Sequence, residues 1–157
     1  MSQEANASSF SSAASLAGIS FLARLAGRWI NVSESLLELA TRRVSHKTAN
    51  YTVQAAESGS VLTNLGASGT VTFTLPPATV GLHYTFVVRA AQILRVDPNG
   101  SETLETTAVP RVAAAAGKYI GATGSSTGGI GARLHLVCLE AGKWAVLNFE
   151  GTWTTEP

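Results

Sequence analysis

The stretch "VTFTLPPATVGLHYTFVVRAAQILRVDPNG", residues 71 to 100, decides the fold class. Its apolar side chains recur at every second position, with Phe73 and Leu75 on one face and Tyr84, Phe86 and Val88 on another, the period of a half-buried β-strand. Pro76-Pro77 and Asn99-Gly100 interrupt the alternation with turn chemistry. Working outward, "YTVQA", "SVLTN", "TVTFTL", "HYTFVVR", "QILRVD", "KYIGA", "RLHLVCLE" and "KWAVLNFE" read as strands, with "GTWT" as a last edge. Ser58-Gly59, Gly66 to Gly69, the run "GATGSSTGGIG" and Ala141-Gly142 separate them. The expectation is a mainly β fold, an antiparallel β-sandwich or jelly-roll-like domain over residues 49–157. Phe73, Leu75, Tyr84, Phe86, Val88, Leu136, Cys138, Trp144 and Val146 are its expected buried residues. The run "TAVPRVAAAAGKY" fits a loop or an edge strand, because Pro110 and Gly117 leave its four alanines little room for a helix.

Residues 1–48 are organised differently. They are rich in Ala, Ser and Leu, and Leu16, Ile19, Leu22 and Leu25, joined by Phe21, recur at helical spacing, with Gly27 placed to close a helix. Ser35 and Glu38 are spaced as a capping box for a second short helix ending at Arg42 and Arg43, where positive charge suits the helix dipole. The opening "MSQEANASSFSS" is too small and polar to fold alone and reads as an arm. A short α-helical N-terminal segment is therefore expected before the β-domain. Its apolar stripe needs a surface to cover it. The candidate partner-binding residues are Leu16, Phe21, Leu22, Arg24, Leu25, Arg28, Trp29, Arg42 and Arg43.

Only 13% of the 157 residues are charged and 45% are hydrophobic, so one compact domain with an appendage buries a real core and leaves a surface poor in charge. Such a surface is suited to contact with other copies of the chain. The net charge is +1 and the basic residues are scattered, which argues against a nucleic-acid partner. No run approaches the roughly 20 apolar residues of a membrane span. Glu4 stands where a secretory signal needs positive charge, so synthesis in a reducing cytoplasm is expected.

Chemistry-bearing motifs are sparse. Cys138 is the single cysteine, and alternation makes it a buried structural thiol; neither a disulfide framework nor a zinc spacing exists. The glycine run Gly121 to Gly131 lacks the Gly-Lys-Ser/Thr ending of a phosphate loop and reads as a surface loop. His46, His83 and His135 lie on different elements. A triad from them would need Glu57, Glu102 or Glu105 and an unmarked serine. Asp97, Glu102 and Glu105 crowd one turn and would be the pair for glycoside cleavage, with Trp144 or Trp153 as a sugar platform. The plainer reading is solvated acids and packed tryptophans, so no catalytic residue, cofactor or metal site is expected.

Residues 50 to 154, about two-thirds of the chain, resemble a β-domain that recurs in structural proteins of tailed bacteriophages, both head decoration or head-fibre proteins and tail fibres. The resemblance is carried by "SG" followed by "TN.G", the "FTLP" strand, "GLHYTFVV", a strand leading to a Pro-x-Gly turn, and the closing "LHLVCLEAGKWAVLNFEGTW". It implies a homotrimeric β-domain without enzymatic residues. The expected role is a virion structural protein, a capsid decoration (cement) protein bound to the major capsid protein on the outer surface of the head. A short tail-fibre or receptor-binding subunit recognising a host glycan is the alternative.

Overall fold

The computed structural model describes residues 22–25, 28–31, 43–122 and 129–157. The chain divides into two units, Met1–Thr41 and Arg42–Pro157. The division falls before residue 48 because the second unit's first strand is already in place at Val44.

In the first unit, β1 (Leu22–Leu25) and β2 (Arg28–Asn31) pair antiparallel, with Leu22 opposite Asn31 and Arg24 opposite Trp29. This corrects the helix expected through Leu22 and Leu25. Short apolar runs of this kind fit either period. The arm and most of the second expected helix lie outside the described residues; Arg43, its last residue, is exposed and non-helical, its carbonyl accepting from Val61 N–H.

The second unit is mainly β and contains two mixed sheets. Its strands are β3 (Val44–His46), β4 (Tyr51–Thr52), β5 (Val61–Thr63), β6 (Val71–Thr74), β7 (His83–Val87), β8 (Leu94–Asp97), β9 (Thr103–Leu104), β10 (Ile120–Ala122), β11 (Arg133–Glu140), β12 (Lys143–Glu150) and β13 (Trp153–Thr155). One sheet has the order β3-β5-β7-β11-β12-β9 and the other β13-β10-β8-β6-β4. From β3 to β11 the chain places successive strands alternately in the two sheets. β5, β6, β7, β8 and β10 thus each lie beside their next-but-one predecessor, while β9 goes to the far edge beyond β12 and β11 lies against β7. The pairs β3/β5, β5/β7, β4/β6 and β6/β8 consequently run parallel, as does β9/β12, while β7/β11, β11/β12, β8/β10 and β10/β13 are antiparallel. A parallel pair needs a crossover, ordinarily a helix. Here a strand of the opposite sheet is the crossover. The expectation of purely antiparallel sheets is corrected on this point: period two records burial, not pairing direction, and of the turns expected in this unit only Ala141-Gly142 joins strands that pair as a hairpin.

The inner faces of the two sheets share one core of Leu62, Val71, Phe73, Leu75, Tyr84, Phe86, Val96, Leu134, Leu136, Trp144 and their neighbours. All nine residues expected to be buried are at most 2% exposed. Phe73 meets Phe86 across the sheets, and Tyr84 lies against Trp144 at 5.8 Å between ring centroids. Gly151 comes so close to Ala132 that a Cβ there would lie 2.6 Å from the alanine methyl, and its φ of +86° disfavours a side chain as well.

Candidate functional site

The residues expected to bind a partner belong to the first unit. Register puts Arg24 opposite Trp29 on one face of the hairpin and Leu25 opposite Arg28 on the other, so each face carries both apolar and basic positions. A two-stranded ribbon is marginal in water by itself. Leu16, Phe21 and Arg42 lie outside the described residues.

In the second unit, most residues that suggested chemistry hold the fold. Glu102 Oε1 accepts from Ala78 N–H at 2.8 Å, tying the Pro76-Pro77 turn to the β8–β9 connection. Its Oε2 is buried without a partner among the described residues. Glu105 pairs with Arg111 at 3.7 Å. Asp97 stands on β8, half-buried, its carboxyl raised above the usual range first by burial and then by the negative charge of Glu156. The three acids expected to crowd one turn are thus set to separate tasks. Glu57 caps the short 3₁₀ turn Ala55–Glu57, accepting from Gln54 N–H at 2.8 Å and from Tyr51 Oη.

The topology brings two of the three histidines together. His83 on β7 and His135 on β11 lie on the outer face of the six-stranded sheet with ring centroids 6.3 Å apart. His83 Nδ1 lies 3.2 Å from Gly81 O and 3.5 Å from Ser58 Oγ. Ser58 Oγ also accepts from His83 N–H at 3.1 Å. The serine is thus a turn anchor. His46 is apart, on β3, with Nδ1 2.7 Å from Thr63 Oγ1.

Cys138 is buried, its thiol 3.2 Å from the Glu140 carbonyl, and burial pushes its pKa up, which keeps it a poor nucleophile. Trp144 and Trp153 are 1% and 7% exposed, so neither ring offers an open platform to a sugar. Among the described residues no group of three or more metal-ligating side chains converges. Of the glycine run, Gly121, Ala122 and Gly129 to Gly131 are described; Gly121 and Ala122 end β10, and Gly131 N–H bonds Val88 O at 2.8 Å.

Two features were not foreseen. Asn64, fully buried, accepts from Arg89 N–H at 2.7 Å and Ala90 N–H at 3.0 Å and donates to Gln92 O at 3.2 Å, so one amide organises the β7–β8 connection. The signal was the "TN" ending a strand, a polar residue continuing a buried run. Arg111 reaches from the β9–β10 connection to donate to Val146 O on β12, while its guanidinium lies 5.7 Å from the Phe149 ring centroid. It thereby covers part of a strand edge that β9 leaves unpaired. Beside it an open cleft of about 540 Å³ is lined by Thr106, Thr107, Thr152, Thr154 and Thr155 around Phe149 and Trp153. Among the described residues no helix is long and apolar enough to cross a membrane. Compared with known proteins, the chain matches no protein-family model and no curated protein.

Proposed function

We propose that the chain is a structural protein of a tailed-phage virion, a capsid decoration protein that binds the outer surface of the head as a homotrimer and stabilises it. The observation that carries this reading is what the resembling motifs do in the fold. The "FTLP" strand supplies Phe73 and Leu75, "GLHYTFVV" supplies Tyr84 and Phe86, "TN" supplies the Asn64 latch, and the closing segment supplies Trp144 and the close-packed Gly151. These residues build the body rather than one local site. The resemblance therefore speaks for a β-sandwich-like body, made from crossing strands, that serves as a module. Charge-poor composition favours assembly with other copies. The engagement of Glu102, Glu105 and Cys138 in local structure supports a non-enzymatic role.

In this reading residues 1–41 attach the module to the major capsid protein. The basic positions of the β1–β2 hairpin would meet acidic groups of the shell, each exposed pair contributing a few tenths to about 1 kcal/mol. Heads stripped of the protein and then supplied with it should regain resistance to heat. Failure to bind stripped heads contradicts the reading.

The threonine-lined cleft favours a second reading, a short fibre or receptor-binding subunit that recognises a host glycan, since hydroxyls beside the half-buried Phe149 ring suit a sugar. Its test is adsorption of the purified protein to host cells or their polysaccharide.

A further inference from the structure

The outer faces of the two sheets differ in chemistry. On the five-stranded sheet, register aligns Thr52, Thr74 and Asp97 in one row and Thr72, Arg95, Gly121 and Thr154 in the next, a face suited to water. On the six-stranded sheet register aligns Val44, Val61, Thr85, His135 and Asn148 in one row and His83, Val137 and Ala145 in the next, with Val87 and Leu139 beside them. Leu139 is 64% exposed, Val44 59%, and Leu147, standing at the irregularity in the β11–β12 ladder, 52%. The five-stranded sheet carries no valine or leucine in its outward rows, whereas the six-stranded sheet exposes several among histidine, threonine and asparagine, and that apolar area is a surface to cover.

We propose that the outer face of the six-stranded sheet is where copies of this chain pack against one another. The proposal rests on the self-association in the reading above and adds its location. The occupant is argued from charge. Arg133 and Glu150 pair at 2.6 Å at one end of the β11–β12 ladder, and Lys143 and Glu140 pair at 2.7 Å at the other. Each charge at the two ends carries its own counterion, and between them the face holds apolar side chains with threonine, histidine and Asn148. A partner recruited by charge would find no net field there, whereas a second copy presents the same neutral centre and self-paired rim, as a self-complementary contact requires. The size agrees. Six strands about 4.8 Å apart and up to eight residues long give a face on the order of 600 Å² before corrugation, near the roughly 800 Å² per partner of a standard interface.

The test measures the mass of the full-length protein by light scattering over a concentration series, with Leu139→Asp and Leu147→Asp beside Thr154→Asp on the opposite sheet. All three positions are exposed, so the substitutions leave the fold intact, and thermal melts verify this. The wild type and Thr154→Asp should be oligomeric, and the two leucine variants should assemble about tenfold or more weakly. Hydroxyl-radical labelling of Leu139 in the wild type should fall as the oligomer forms. An oligomeric wild type with unchanged leucine variants and undiminished labelling overturns this face while leaving self-association standing. A monomeric wild type overturns both, including the case where Leu139 is protected in the monomer by the chain's own N-terminal unit.

Discussion

Phe73 on β6 and Phe86 on β7 meet between the two sheets with ring centroids 5.4 Å apart and planes inclined at 54°. These strands follow each other in the chain but belong to different sheets, so this contact joins the layers directly. Both rings are fully buried. Phe86→Ala removes a large side chain from a packed core and should cost about 3–5 kcal/mol. Chemical denaturation measures it; a loss below about 1 kcal/mol would mean that the core closes over the gap.

Asn64 is the polar counterpart of that contact. Asn64→Ala leaves Arg89 N–H and Ala90 N–H without their acceptor and should destabilise by about 2–3 kcal/mol, the cost of losing hydrogen bonds to buried backbone groups. Asn64→Asp keeps the acceptor oxygen and loses the donor to Gln92 O, so it should fall between the two. Hydrogen exchange of the Arg89 and Ala90 amides should accelerate in the alanine variant more than exchange in β11.

Tyr84 predicts alkaline behaviour. Its hydroxyl donates to Gln54 O at 3.1 Å, and burial, assisted by the negative charge of Glu57, raises its pKa to about 12. The ordinary value in an unfolded chain is about 10. The fold thus favours the neutral phenol, and that contribution is complete below pH 10 and lost as pH rises through about 12. Tyr84→Phe cannot ionise. It should cost about 1 kcal/mol at neutral pH and show a shallower fall of stability between pH 10 and 12, read from denaturant unfolding at several pH values.

Strand positions were legible because a half-buried strand records its exposure residue by residue, as Val71 to Thr74 and Arg133 to Cys138 do. Pairing was not, since the same alternation serves a parallel or an antiparallel neighbour. Asn99-Gly100 is sound turn chemistry, yet it leads from β8 in one sheet to β9 in the other. Val44–His46 and Thr103–Leu104 escaped notice because strands of three and two residues complete no period. The grouping of His83 with His135 follows from β7 and β11 lying side by side, a long-range fact that neither segment contains.

The β3 strand also sets where the chain can be cut. A chain beginning at Ala49 loses Val44–His46 and the bonds from Val61 N–H to Arg43 O and from Lys47 N–H to Thr63 O, exposing β5. A chain beginning at Arg42 keeps them. The Arg42 chain should melt within a few degrees of the full-length protein, and the Ala49 chain measurably lower. If residues 1–41 are the attachment segment, the Arg42 chain should fold and still fail to bind stripped heads.

The molar amount of this protein in purified phage particles, relative to the major capsid protein, tests the central proposal most directly. Quantitative gel densitometry or mass spectrometry supplies the ratio. A decoration protein covering the head should be within a few-fold of the shell subunit and should leave the particle together with its heat resistance. A ratio of a few copies per particle, with the protein retained on isolated tails, would contradict the account.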